Sequence, residues 1–278
     1  MPYRVFSLAH SHCARTAAAL AAVALAASTC SFGQSFPRLK DGKPDLSGIW
    51  QALDSSLNWD IAAHAAEAGP VPELGAQFAV PPGIGAVEGG EIPYLPAALA
   101  KKKDNFAKRL TEDPEIKCYM PGVPRAVYMP YPFQIVQSNK YLMIDYEYNS
   151  SVRTIHMDNP GPNPAGDSWM GWSVGHWEGD TLVVDVTGMN DQTWFDRAGD
   201  YHSDELHVVE RYTPKSAEVL DYEATIEDPQ VFARPWKIHI PLYRHVEKNF
   251  QMMGYKCVPF AEEVLYGNLR RHPASAEK

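Results

Sequence analysis

The residues with the greatest chemical potential lie in one acidic stretch, residues 190–207. It combines several carboxylates with His202 and His207. Imidazole titrates near neutral pH and a nearby carboxylate can orient it, so this combination is typical of general acid–base catalysis. We expect His202 or His207 to act as acid or base, with Asp196 or Asp204 as its partner. The alternative is a surface loop in which aspartates stabilise local turns.

Two further possibilities are a third catalytic histidine and a metal site. His156, on the predicted strand Val152–Asp158, is a further catalytic candidate. His202 and His207 are five positions apart, which does not match the His-Glu-x-x-His spacing of zinc enzymes. If a metal ion bound there, His156 or His176 would supply the next ligand. We therefore expect no cofactor, with a metal ion as the alternative.

Aromatic and arginine side chains elsewhere are candidates for substrate contacts. Trp172 and His176 share one face of a predicted strand, and Trp172 with Trp194 is expected to form a pocket wall. Arg125 follows a proline-rich turn, and Arg125 or Arg153 would hold an anionic group, because guanidinium pairs well with carboxylate or phosphate. The alternatives are core positions for the tryptophans and surface ion pairs for the arginines.

Most of these residues lie on or between predicted strands. Short connections favour antiparallel neighbours, and a large meander tends to close on itself, which removes its edges. We therefore expect a mainly β fold, an antiparallel meander closing into a lipocalin-like barrel, with a curved β-sandwich as the alternative. The predicted strands are Phe133–Gln137, Tyr141–Tyr148, Val152–Asp158, Gly171–Trp177, Thr181–Thr187, Leu206–Tyr212, Leu220–Ile226, Trp236–Leu242 and Phe250–Cys257.

The chain before these strands has a different character. Residues 34–112 are rich in proline and glycine and are predicted to form an irregular arm with a helix, followed by an antiparallel β domain over residues 113–278. A long arm of this kind is typical of a lid or a wrapped segment. The elements predicted outside the main strand series are a short strand ending at Trp50 and helices over Asp60–Glu67, Pro96–Leu110 and Val264–Arg271.

The N-terminus is predicted to be a secretory signal over residues 1–33. Its apolar run, Thr16–Ala27, follows two arginines and is too short to span a bilayer. Cleavage is expected before Gln34, with a lipoprotein anchored at Cys30 as the alternative. We expect a periplasmic or secreted protein, not bound to a membrane after cleavage. In an oxidising compartment Cys118 and Cys257 are expected to form a disulfide; two buried thiols are the alternative.

Composition limits the classes of partner. The chain has 278 residues, of which 45% are hydrophobic and 21% charged, as in globular proteins. Its formal net charge of −9 repels nucleic-acid phosphates and anionic lipid. We therefore expect a small-molecule ligand and no nucleic acid.

Several motifs carry a resemblance to other sequences. They are Trp177–Val184 (WEGDTLVV), His202–His207 (HSDELH), Glu210-Arg211, Thr225–Pro229 (TIEDP) and Pro235-Trp236. In these motifs the chain resembles a large set of uncharacterised exported bacterial proteins, over roughly residues 118–257. The resemblance implies export and assigns no catalytic role.

These observations favour two hypotheses for the function and, below them, a third. The first is an exported lyase, isomerase or hydrolase that uses His/Asp acid–base chemistry on an apolar, aromatic or glycosidic small molecule. The second is a lipocalin-type binding protein without catalysis. The third is an envelope interaction protein that docks through the arm.

Overall fold

The computed structural model describes residues 36–77, 79–158, 160–164 and 166–271. The predicted signal, residues 1–33, lies outside this range. Within it, no helix combines the length and apolar character needed to cross a membrane.

Nine strands form one closed barrel, in which each strand pairs with its neighbours in chain order. This confirms the predicted barrel. The strands are β1 Gly48–Ala52, β2 Phe133–Gln137, β3 Tyr141–Tyr146, β4 Ser151–Met157, β5 Trp172–Glu178, β6 Thr181–Thr187, β7 His207–Pro214, β8 Val219–Glu227 and β9 Trp236–Arg244.

The barrel is closed by a strand from the N-terminal arm. β1 pairs with β2 through Gly48 and Ile135, and with β9 through Trp50 and Arg244. Trp50 is 1% exposed and lies where β1 pairs with β2 and β9. The predicted boundary at residue 112 therefore does not separate the arm from the barrel. The prediction of a strand over Phe250–Cys257 is wrong, because β1 occupies the edge of β9 that this segment would have used.

One neighbouring pair of strands is parallel. A ring of strands can be antiparallel throughout only if their number is even, so nine strands require a parallel pair. That pair is β4 and β5, joined through His156 and Val174. The connection from Met157 to Trp172 has the length that a parallel crossover needs, roughly a dozen residues or more. The expectation of a purely antiparallel meander is wrong at this one position.

Side chains fill the barrel interior. The strands alternate buried and accessible residues, and the buried ones are mainly aromatic and branched apolar. The interior set includes Trp50, Phe133, Tyr146, Ile155, Val184, Tyr212, Tyr222, Ile238 and Leu242. Arg153 and Glu210 form the one ion pair among the described inward-facing residues. The interior is therefore a packed core and not the polar-lined hollow that the acid–base hypothesis required.

Three helices accompany the barrel: α1 Pro96–Glu112, α2 Arg125–Tyr128 and α3 Ala261–Arg271. Proline suits the first turn of α1, and Pro114 disfavours continuation beyond Asp113. The short 3₁₀ segments are Ser55–Asn58, Pro72–Gln77, Glu88–Gly90 and Tyr148–Ser150.

The arm folds back on itself, and a disulfide holds the C-terminal segment to the chain after α1. The prediction of a helix over Asp60–Glu67 is wrong, because the arm folds back on itself through backbone bridges of His64 to Gly83 and of Glu67 to Val80. The disulfide between Cys118 and Cys257 is confirmed. It joins the chain after α1 to the segment that precedes α3.

Candidate functional site

A cavity of about 330 Å³ lies beside the barrel, between the arm, α1 and the loop that joins β6 to β7. None of the residues that line it belongs to a strand. Its walls are largely apolar, with Trp59 from the arm and Phe106 and Leu110 from α1. Ligand pockets generally combine such walls with a few polar groups and start at roughly 300 Å³. None of the predicted catalytic or substrate-binding residues lines this cavity.

A buried network of charges stands behind one wall of the cavity. Glu115 accepts hydrogen bonds from Arg125 Nη2 at 2.7 Å and from Arg197 Nε and Nη2 at 2.8 and 3.0 Å. Asp113 Oδ1 accepts from the Glu115 backbone N–H at 2.8 Å and from Arg125 Nη1 at 3.2 Å. Arg125 is 1% exposed and pairs with these internal acids. The structure therefore gives no support to its predicted role as a substrate clamp.

The two acids of this network are held differently. Burial opposes ionisation of Glu115, but the charges of Arg197 and Arg125 outweigh it and lower the pKa of Glu115 to about 2. For Asp113 burial dominates, and its pKa is raised despite the attraction of Arg125. Asp113 lines the cavity, and its buried Oδ2 has no hydrogen-bond partner among the described residues. A buried polar atom without a partner is costly, so this oxygen is a candidate contact for a ligand.

Arg197 connects the network to the aromatic wall. Its guanidinium lies over the Trp59 ring, 4.6 Å from the centroid, and its Nη1 donates to Glu262 of α3 at 3.0 Å. Trp59 is thereby fixed between the cation and the cavity. Arg197 thus links three segments that are distant in sequence: the arm through Trp59, the chain after α1 through Glu115, and α3 through Glu262.

A second group of acids lies next to the cavity. Asp60, Asp196 and Asp200 each place a carboxylate oxygen within 4.8 Å of the others. Asp196 accepts from the backbone N–H groups of Ile61 at 2.9 Å and Asp200 at 3.2 Å. Burial, followed by the charges of Asp200 and Asp60, raises the pKa of Asp196 well above its usual value. Asp196 was predicted to orient a histidine, but its observed partners are backbone amides.

Two further side chains complete this acidic group. Tyr94 Oη donates to Asp200 Oδ1 at 2.7 Å, and Lys102 Nζ of α1 lies 3.2 Å from Asp200 Oδ2. Burial and the charge of Asp200 raise the pKa of Asp60, which also lines the cavity. We call Asp60, Asp196 and Asp200 the aspartate cluster.

Close packing against α1 fixes the loop that carries Asp196 and Asp200. Gly199 has φ of +85°, and a Cβ at this position would lie 2.7 Å from the Phe106 backbone nitrogen. Asn105 Nδ2 donates to the Gly199 carbonyl at 3.2 Å. Only glycine allows this approach, so the loop and α1 meet at a defined position beside the cavity.

His202 of the acidic stretch is buried and has partners other than carboxylates. The His202 ring nitrogens lie 2.6 Å from Thr193 Oγ1 and 2.8 Å from the Ser203 carbonyl. Burial lowers the pKa of His202, which favours the neutral ring. No carboxylate oxygen of a described residue lies within hydrogen-bond distance of it. Asp204, its predicted partner, is exposed.

The other predicted histidines lie on the outer surface of the barrel. His207 lies between Asp185, at 3.0 Å, and Glu227, at 3.5 Å. The His156 ring stacks on Trp172, with centroids 4.0 Å apart. His176 is exposed, 3.3 Å from Glu178. The structure therefore does not bring the predicted histidines to one site.

Arg153 and Trp194, the two remaining residues that were predicted to contact a substrate, are buried. Arg153 lies in the barrel core, where its Nε donates to Ser173 Oγ at 2.8 Å. Trp194 is 9% exposed and its backbone bridges to Tyr201. Trp194 lines a second, more open pocket beside α1. Neither residue lines the cavity described above.

No protein family model matches the chain, and no curated protein matches it. The resemblance to exported bacterial proteins therefore stays a prediction. Several of its motif residues serve the fold: Arg211 pairs with Glu178 at 2.9 Å, and Asp228 accepts from the Ser203 backbone N–H at 2.6 Å.

Sequence reasoning missed most of the residues around the cavity. No functional role was predicted for the lysines of α1 or for Asp113. Asp60 was placed in a short helix. The available signal was weak, because these residues come from separate segments and share no spacing. Arg197, adjacent to the predicted Asp196, was the one with a local clue.

Proposed function

We propose that the protein binds a compact small molecule in the cavity between the arm, α1 and the β6–β7 loop. The observation that carries this proposal is the buried Asp113 Oδ2, which has no hydrogen-bond partner among the described residues and belongs to a side chain that lines the cavity beside apolar and charged neighbours. A ligand that donates a hydrogen bond to this oxygen would satisfy it and gain both affinity and orientation.

The lining of the cavity suggests the chemistry of the ligand. Trp59 and Phe106 offer flat apolar surfaces, which suit an aromatic ring or the apolar face of a sugar. Asp113 suits a hydroxyl or amine group on such a molecule. The predicted signal and the disulfide support a periplasmic or secreted location for this binding.

An acid–base enzyme of the lyase, isomerase or hydrolase type is the second candidate. The observation that favours it is that burial raises the pKa of Asp113, which brings this cavity carboxyl closer to the range useful in proton transfer. Asp113 takes the role that the sequence suggested for histidine. This candidate requires turnover, whereas the first requires binding alone.

The test is a screen of small aromatic and glycosidic compounds that carry hydroxyl or amine groups. Binding is measured by the rise in Tm of the full chain and by titration of tryptophan fluorescence. A ligand of the cavity should lose affinity by about tenfold in Asp113→Asn, because one hydrogen bond to a charged group is weakened. Phe106→Ala should weaken it through lost contact area.

The matched control is Asp104→Asn, an exposed acid of α1 that does not line the cavity. It should leave affinity unchanged. A ligand whose affinity survives both Asp113→Asn and Phe106→Ala binds elsewhere and contradicts the proposal. Conversion of a bound compound by the wild-type protein, lost in Asp113→Asn, would favour the enzyme.

A further inference from the structure

With all three carboxyls ionised, the aspartate cluster carries more negative charge than the protein around it balances. Asp196 and Asp200 are fully buried and Asp60 is partly buried. Lys102 contacts the cluster, with its Nζ 3.2 Å from Asp200 Oδ2. Three carboxylates close together repel each other strongly where water is excluded, so one ammonium leaves a deficit of positive charge.

A second observation points to a missing partner in the cluster. Asp200 Oδ2 is buried and accepts no hydrogen bond from the described residues, although Tyr94 Oη binds the other oxygen of the same carboxylate. The ammonium of Lys102 approaches it as an ion pair, from a side chain that is 24% exposed. Buried carboxylate oxygens normally accept hydrogen bonds or bind cations.

We propose that Asp60, Asp196 and Asp200 bind a divalent cation, and that Ca²⁺ is the ion that they suit best. Carboxylate oxygens are the ligands that hard cations prefer. Ca²⁺ accepts irregular coordination, with oxygens that can lie up to roughly 5 Å apart across the ion. The cluster, with oxygens within 4.8 Å of each other, fits that span. Mg²⁺ requires a smaller and more regular octahedron.

Lys102 is the internal competitor of the ion. Its charge lies against Asp200 when no metal is bound, and its flexible, partly exposed side chain is free to move towards solvent when the ion enters. Removal of this charge should therefore strengthen metal binding, whereas removal of a carboxylate should weaken it. These opposite signs distinguish a site from a general attraction of cations to an acidic protein.

The site would join two separate segments beside the cavity. Asp60 belongs to the arm, and Asp196 and Asp200 belong to the β6–β7 loop. Asp60 also lines the cavity, so a bound ion would hold part of the cavity wall in place. The cation site does not depend on the proposed organic ligand, because metal binding is measured without one.

The experiment uses the full chain after treatment with a chelator. Ca²⁺ and Mg²⁺ are titrated separately by calorimetry, and Tb³⁺ is titrated with excitation of protein aromatics, because Tyr94 contacts Asp200. We expect one Ca²⁺ per chain and weaker Mg²⁺ binding. Asp60→Asn and Asp200→Asn should lower Ca²⁺ affinity by at least about tenfold, and Lys102→Met should raise it by about tenfold, since each changes one charge at the site.

Asp204→Asn is the matched control, because Asp204 is an exposed acid of the same loop. It should leave Ca²⁺ affinity unchanged. If Asp200→Asn does not fold, the partly buried Asp60 and the Lys102→Met variant decide the question. The proposal is overturned if neither wild type nor Lys102→Met binds Ca²⁺ at millimolar concentration, or if Asp60→Asn and Asp204→Asn bind alike. Loss of this site with intact binding of an organic ligand would leave the proposed function standing.

Discussion

Two buried groups of charge in this protein are built on opposite plans. Inside the barrel, Arg153 pairs with Glu210 and donates from Nε to Ser173 Oγ at 2.8 Å. The other oxygen of Glu210 accepts from Tyr212 at 3.0 Å and Tyr222 at 2.8 Å. One positive and one negative charge balance each other, and strands surround them on every side.

The aspartate cluster beside the cavity has the reverse properties. Three acids share one contacting lysine, and Asp60 is accessible from the cavity. The charges of Arg153 and Glu210 balance, so the pair needs no further ion, although Arg153 Nη1 has no hydrogen-bond partner among the described residues. An unbalanced group next to a cavity is tolerated when a proton, an ion or a ligand supplies the missing charge.

The largest expected effect comes from breaking the balanced pair. Glu210→Gln leaves Arg153 as an unneutralised buried charge, which should cost about 3–5 kcal/mol of unfolding free energy. Urea denaturation monitored by tryptophan fluorescence measures it. Glu223→Gln, on the accessible side of β8, serves as the control and should change stability little. Equal losses in the two variants would mean that the interior pair is not special.

The next effect is a dependence of stability on pH that comes from Glu115. Its pKa is lowered to about 2 in the folded protein, so its contribution is present at neutral pH and is lost as pH falls from about 4.5 towards 2. The full contribution is about 3 kcal/mol. Asp113 acts in the opposite direction, because its pKa is raised and stability decreases as pH rises through that pKa.

The measurement is the unfolding free energy between pH 2 and 7, for wild type and Glu115→Gln. The variant should be less stable at neutral pH, and its acid-induced loss should be shallower. If the unfolding free energy falls equally steeply below pH 4.5 in both proteins, carboxyls other than Glu115 dominate acid unfolding. That result would contradict the assigned difference between Glu115 and Asp113.

The smallest effect is expected at the histidines on the outside of the barrel. His207→Gln and His176→Gln should change stability by less than about 0.5 kcal/mol, since their ion pairs are exposed. Neither should change the affinity of a cavity ligand. A large loss of binding in either variant would place the functional site on the outer surface of the barrel and not in the cavity.

Much of the fold was predictable because its signals are local. Alternation of apolar residues located eight of the nine strands to within a few residues, and the Glu178-Gly179-Asp180 turn marked the β5–β6 hairpin. A strand ending at Trp50 was also predicted and overlaps β1, but the place of β1 in the barrel was harder to predict. Its partner β9 is almost the whole chain away, and no local pattern encodes such a pairing.

The cavity was not predictable for a similar reason. Trp59, Lys102, Asp113 and Arg197 come from four segments, and each has an ordinary local explanation. Their shared chemistry appears only when tertiary packing brings them together. Asp196 was predicted as a site residue and belongs to the aspartate cluster, but its environment was not predictable, because burial and the proximity of Asp200 could not be deduced from an acidic stretch.

Closure by β1 has a consequence for biogenesis. Of the nine strands, β1 is synthesised first and β9 last. Each lacks one of its two neighbouring strands until β1 and β9 pair with each other. Until then the sheet is an open ribbon with two free margins, each able to pair with another chain. Shortened forms that lack either end should therefore self-associate, because β1 of the arm covers a margin of the sheet that is otherwise free to pair with another chain.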